Sequence, residues 1–237
     1  MRHVHTITLA LLFLIACVHC TDPNTTGTEA VILLHGLGRT NRSLNTMEKA
    51  LKESGYLVVN LTYPSLTEPI ETLAVHLDKG FKQCCLSKDM KIHFVTHSMG
   101  GILPRYYLSD HHIENLGRVV MLSPPNKGSE LADFVDKISR YTPPALKQLG
   151  TGKESIPLKL GPVDFELGII TGDRSFNPVA SRIIPGDDDG TVSVEGAKVP
   201  GMSDFLVVDH THTFIMNSPD VIDQTRAFLK NGRFKRE

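Results

Sequence analysis

The chain contains no tryptophan and only 5 tyrosines in 237 residues. It has little with which to build the flat aromatic surfaces that stack on sugar rings, so a carbohydrate-polymer platform is disfavoured. An excess of one charge is also missing: Lys and Arg total 25, Asp and Glu total 26, and the net charge is −1. Without a one-signed field, nucleic acid and anionic membrane surfaces lose the attraction that would draw them to the protein. No C-x-x-C spacing occurs in the body of the chain beyond the N-terminal apolar segment, which leaves a thioredoxin-type redox role without support. Acidic residues never fall at the spacing of an EF-hand loop, so that calcium site is excluded. No internal repeat is found, and the 19 Gly and 14 Pro are spread along the chain, as in a loop-bearing globular protein. What remains is a chain with 41% hydrophobic residues, enough for one sizeable core and one domain.

The N-terminus reads as a targeting segment. Arg2 supplies a positive start, and Ile7 to Val18 is an apolar run of signal-peptide length, too short to span a bilayer comfortably. Export is therefore expected, with residues 1–20 removed and residues 21–237 forming the folded domain. Leu14-Ile15-Ala16-Cys17 resembles the lipobox of bacterial lipoproteins, in which the signal would end at Ala16 and Cys17 would carry lipid. That reading makes the protein periplasmic or a membrane-anchored lipoprotein; ordinary cleavage near Cys20 would make it secreted. Of the 4 cysteines, Cys84 and Cys85 alone lie in the body of the chain, and their adjacency predicts a pair of buried or helix-end thiols rather than a mutual bridge.

From Glu29 onward, short β-branched apolar runs alternate with longer amphipathic stretches. Ala30 to Leu34, Tyr56 to Leu61, Lys91 to Thr96 and Arg118 to Leu122 read as strands. Between them, Leu44 to Ser54, Pro69 to Lys82 and Met99 to Ser109 have helical spacing, the first ended by Gly55. Phe165 to Thr171 and Phe205 to Val208 read as further strands, and Pro219 to Lys230 as a closing helix. Such β-α-β alternation predicts an α/β fold with a mainly parallel sheet and helices on both faces. It breaks between Pro124 and Gly161, where a helix over Ser129 to Ile138 is followed by a Pro- and Gly-punctuated stretch. That insertion of residues 124–161 is expected to lie over one edge of the sheet as a lid facing substrate.

Two motifs carry chemistry. Thr96-His97-Ser98-Met99-Gly100-Gly101 lies where a strand gives way to a helix. A nucleophilic serine needs a tight, strained turn that lifts its oxygen clear of the backbone, with small neighbours that let strand and helix close up. Gly100 meets that need, whereas Thr96 stands where a glycine is usual in G-x-S-x-G. His35-Gly36-Leu37-Gly38 directly follows the first strand. A glycine-flanked strand end can aim backbone N–H groups at a developing oxyanion, which makes Leu37 one candidate donor and Met99, next after the serine, the other. His35 is expected to brace this loop rather than act as a base.

With Leu122-Ser123-Pro124-Pro125-Asn126-Lys127-Gly128-Ser129, Asp189-Gly190-Thr191-Val192 and His212-Thr213-Phe214, these motifs make the chain similar to the α/β-hydrolases, and among them to bacterial lipases and esterases. The similarity runs from Ala30 to about Lys230. It implies a triad in the order serine, acid, histidine. Ser98 is the nucleophile in that scheme. His212 is placed as similar lipases place their base, with His210 as the alternative two residues earlier. Asp189 directly precedes Gly-x-Val, as the lipase acid does, with Asp187 and Asp188 as alternatives. The implied activity is hydrolysis of a small-molecule or lipid carboxylic ester through an acyl-enzyme, without cofactor or metal. An acyltransferase or thioesterase would use the same triad, and a silent binding protein could share the fold without any of it.

Overall fold

The computed structural model describes residues 29–83 and 90–236. The expected leader with Cys17 and Cys20, and the pair Cys84 and Cys85, lie outside the described residues. Six strands, β1 (Glu29–Leu34), β2 (Leu57–Leu61), β3 (Lys91–His97), β4 (Leu116–Leu122), β5 (Leu167–Gly172) and β6 (Asp204–Val208), form one sheet in the order β2-β1-β3-β4-β5-β6. Every adjacent pair is parallel. Parallel neighbours need crossover helices, and those helices cover both faces, which is why the central strands are apolar on both sides.

The period of two sorts the strand side chains into two cores. Ile32, Leu34, Phe94, Met121 and Ile169 face one way, against Ile70, Leu73, Leu77, Ile102 and Leu103. Val31, Leu33, Val95, Leu122 and Ile170 face the other, against Met47, Leu51, Val221, Phe228 and Leu229. The second set of helices comprises α1 (Asn45–Glu53) and a long C-terminal helix at Pro219–Asn231, which stops where Gly232 turns left-handed at φ 73°.

The stretch Pro69 to Lys82, expected as one helix, is two: α2 (Ile70–Ala74) and α3 (His76–Gln83). They dock on different partners. α2 lies against α4 (Ile102–Asp110), and its first N–H, that of Ile70, is taken by Gln148 Oε1 at 2.7 Å. α3 instead lies on β2, where Gly80 allows close approach: a Cβ there would stand 2.9 Å from Leu61 Cδ1. The insertion begins with α5 (Glu130–Ile138), capped as its sequence suggests by Ser129 Oγ, which accepts from the Ala132 N–H at 3.3 Å. Two one-turn helices follow, α6 (Pro144–Lys147) and α7 (Ile156–Lys159).

The chain lays down β1 first, then β2 on one side of it and β3 on the other. The loops leaving the C-terminal ends of β1 and β3 therefore diverge, and a crevice opens between them. Leu37 follows one of these strand ends and Ser98 the other.

Candidate active site

β3 runs into a 3-10 turn at Ser98–Gly101 before α4 begins. Ser98 itself has φ 55°, a left-handed conformation that costs a non-glycine residue on the order of 1–3 kcal/mol. Packing holds it there. A Cβ on Gly100 would stand 2.6 Å from the carbonyl oxygens of both Leu34 and His35, so only glycine lets the turn press against the end of β1. A Cβ on Gly36 would stand 3.1 Å from Ser98 Cβ. Thr96 is accommodated by Gly101, whose hypothetical Cβ would lie 3.2 Å from Thr96 Oγ1. Pro124 Cβ at 3.1 Å and Met121 Sδ at 3.2 Å would crowd the same Cβ, so Gly101 lets Thr96 and two further neighbours close on the turn.

His212 bridges the serine and one acid. Its Nε2 lies 2.9 Å from Ser98 Oγ and its Nδ1 lies 2.8 Å from Asp189 Oδ2. Asp189 is buried, and its other oxygen accepts from the backbone N–H groups of Thr191 at 3.0 Å and Val192 at 2.9 Å. The neighbouring carboxylates point elsewhere. Asp188 accepts from Ser181 Oγ and the Gly190 N–H, while Asp187 is exposed. His210 turns to the C-terminal helix, its Nε2 lying 2.9 Å from both oxygens of Asp220. Of the residues weighed from sequence, the structure brings together Ser98, Asp189 and His212.

Leu37 and Met99 line the cavity beside Ser98, and neither backbone N–H is engaged by another described residue. Leu37 belongs to a turn closed by the Arg39 N–H on the Gly36 carbonyl at 3.2 Å, with Gly38 left-handed at φ 67°. His35 braces that turn. It is fully buried, its Nδ1 donates to the Gly36 carbonyl at 2.8 Å, its Nε2 accepts from the Tyr63 N–H at 3.4 Å, and the two rings stack 4.0 Å apart. The Tyr63 hydroxyl returns to the His35 carbonyl.

His97 received no role from the sequence. Its side chain is buried beside the His212 ring, 4.8 Å between centroids, and its Nε2 donates to the His212 carbonyl at 2.9 Å. It thereby ties the histidine loop to the residue before Ser98. Only a long-range contact across 115 positions reveals this.

Burial pushes the His97 pKa well below the usual histidine range and lowers those of His35 and His93 as well. The folded protein therefore holds them neutral where the unfolded chain, with pKa about 6.5, takes up protons. Their contribution to stability is present above that value and is lost as pH falls toward the folded pKa, by about 1.4 kcal/mol per pH unit per group at most. Urea unfolding should show a lower midpoint at about pH 5.5 than at about pH 7.5, with His97→Gln flattening the difference. Equal midpoints at the two values would contradict this.

The cavity holds about 300 Å³. Leu131, Ala132 and Val135 of α5, with Leu146 and Leu149 after it, make an apolar wall. Arg105 of α4 fastens this segment from beneath: buried and without a carboxylate, it donates to Asn126 Oδ1 at 2.9 Å, the Pro157 carbonyl at 3.2 Å and the Gly161 carbonyl at 2.7 Å. Burial pulls its pKa down to about 10. Among the described residues, no cluster of three or more His, Cys, Asp or Glu is placed to hold a metal ion.

No protein-family model matches the chain, and neither does any curated protein sequence. Solved structures do. The mature lipase BlEst2 of Bacillus licheniformis superposes with a TM-score of 0.65 at 19% identity, over 86% of this chain and 92% of that one. The chain has the α/β-hydrolase fold. Two further comparisons cover less of the other protein. Phospholipase PlaB of Legionella pneumophila gives a TM-score of 0.66 at 16% identity, over 84% of this chain and 57% of that one. Lipase B of Aspergillus fumigatus gives 0.65 at 13%, over 88% and 54%. This chain thus spans little more than half the length of those two proteins.

Proposed function

We propose that this protein is a serine hydrolase that cleaves carboxylic esters through an acyl-enzyme on Ser98. The observation that carries the reading is the position of His212, within hydrogen-bond reach of Ser98 Oγ at 2.9 Å and of Asp189 Oδ2 at 2.8 Å, at the edge of an apolar cavity. Ser98 Oγ attacks the ester carbonyl while His212 Nε2 takes its proton, which a neutral imidazole does well near neutral pH. Asp189 keeps the other ring proton on Nδ1 and stabilises the imidazolium once it forms. The oxyanion is received by the N–H groups of Leu37 and Met99, aligned before reaction and so spared the reorganisation that water would need. His212 then returns its proton to the departing alcohol oxygen. A water molecule, deprotonated by the same nitrogen, attacks the acyl carbonyl and releases the acid and free Ser98. The strained φ of Ser98 and the lipases and phospholipase that share the fold support the same assignment.

The apolar wall suits the acyl chain, and the segment 124–161 is proposed as the cover that forms it. The test is covalent labelling. Incubation with a fluorophosphonate probe should mark Ser98, identified by peptide mapping, and p-nitrophenyl esters of graded chain length should be hydrolysed. A folded protein that takes no probe and cleaves none of the esters would refute the proposal.

A further inference from the structure

Apart from histidines, one ionisable side chain lines the cavity beside Ser98, that of Arg39. It is exposed, and it forms no hydrogen bond or ion pair with another described residue through its side chain. Several arginines of the protein are engaged, Arg105 by three carbonyl groups and an amide oxygen, Arg118 by Glu166 at 2.9 Å and Arg226 by the Ala50 carbonyl at 2.6 Å, but none of these lines the cavity. Arg39 is held only by its backbone, in the same turn that presents the Leu37 N–H.

The strand order decides which end of a substrate meets it. Ser98 ends β3, Arg39 follows β1 on one side, and the apolar residues Leu131, Val135, Leu146 and Leu149 follow β4 on the other. An ester whose carbonyl sits at Ser98 and whose acyl chain lies along the apolar wall turns its alcohol portion toward Arg39. A guanidinium presents paired N–H donors that match the oxygens of a carboxylate or phosphate, and none of the lining side chains is a carboxylate that would repel them.

We propose that Arg39 selects esters whose alcohol portion carries an anionic group, a phosphate or a carboxylate, near the ester bond. The inference rests on the ester hydrolysis proposed above, and the experiment separates the two. Two matched substrate pairs are used: butyryl esters of para-hydroxybenzoate and para-hydroxybenzamide, and butyryl esters of glycerol phosphate and glycerol. For wild type, Arg39→Gln and Arg39→Lys, the ratio of kcat/KM for the charged over the neutral member is measured, so that differences in leaving-group reactivity cancel between proteins. Arg39→Gln should lower this ratio about tenfold, Arg39→Lys should retain part of it, and added salt should erode it in the wild type, because an exposed ion pair is screened. Loss on both pairs assigns recognition of charge, and loss on the glycerol phosphate pair alone assigns phosphate; either supports the proposal. Fluorophosphonate uptake verifies that each variant is folded at the site. A wild type that takes the probe and hydrolyses the esters with the same ratio as Arg39→Gln overturns the role of Arg39 alone. A folded wild type that neither takes the probe nor cleaves any ester overturns the hydrolase reading, and this inference with it.

Discussion

Ser98→Ala is expected to lower kcat for p-nitrophenyl butyrate by about a million-fold, the scale on which removal of a triad nucleophile acts, and to abolish labelling by a fluorophosphonate. The expectation follows from geometry. Ser98 Oγ, the proposed attacking atom, lies 2.9 Å from His212 Nε2, the proposed base, and no other described hydroxyl is within hydrogen-bond reach of His212. Alanine keeps the left-handed turn and the glycine contacts beneath it, so thermal unfolding should change little while turnover disappears. Retention of a tenth of the wild-type rate by a folded variant would mean that Ser98 is not the nucleophile.

Asp189→Asn should cost about ten-thousand-fold in kcat with little loss of stability, because it reverses the histidine tautomer. Asp189 Oδ1 already accepts two backbone N–H bonds, from Thr191 and Val192. An asparagine must place its carbonyl oxygen there and so present its amide NH2 to His212 Nδ1. That nitrogen would then accept, the ring proton would sit on Nε2, and the atom facing Ser98 could no longer take a proton. The pH dependence of the residual rate checks the explanation, since hydroxide can replace the missing base and the rate should rise with pH. The same substitution at Asp188 disturbs contacts to Ser181 and Gly190 and leaves the tautomer alone, so its effect on kcat should be far smaller.

Much of this was legible from the chain, because it depends on local chemistry. A five-residue, β-branched apolar run such as Ala30 to Leu34, too short for a helix of usual length, reads as a strand buried on both faces, and its repetition between helical stretches points to a parallel sheet. The turn at Ser98 was legible because its strain demands small neighbours, and Gly100 stands where that demand is greatest. How Thr96 is accommodated beside that turn was not legible, because Gly101, against which it packs, is also pressed by Met121 and Pro124 from the next strand and loop.

Other choices belong to contacts between distant parts of the chain. Asp187, Asp188 and Asp189 are chemically identical and adjacent, so sequence could name the cluster and, by resemblance, prefer its last member. Which carboxylate turns inward is decided by the Thr191 and Val192 N–H groups and by a histidine 23 positions away. His210 and His212 differ for the same reason, one drawn off by Asp220 and the other held by Asp189. The break at Val75 arises because its two flanking helices dock on different elements, and the bond from His97 to the His212 loop closes across 115 positions. Sequence by itself determined the strands, most helices and their order, and singled out the residue types of the candidate site, because propensity, periodicity and turn strain act between near neighbours. Tertiary structure alone decided which acid, which histidine and which arginine face the cavity, because in loops a side chain's direction is set by whatever distant group satisfies it.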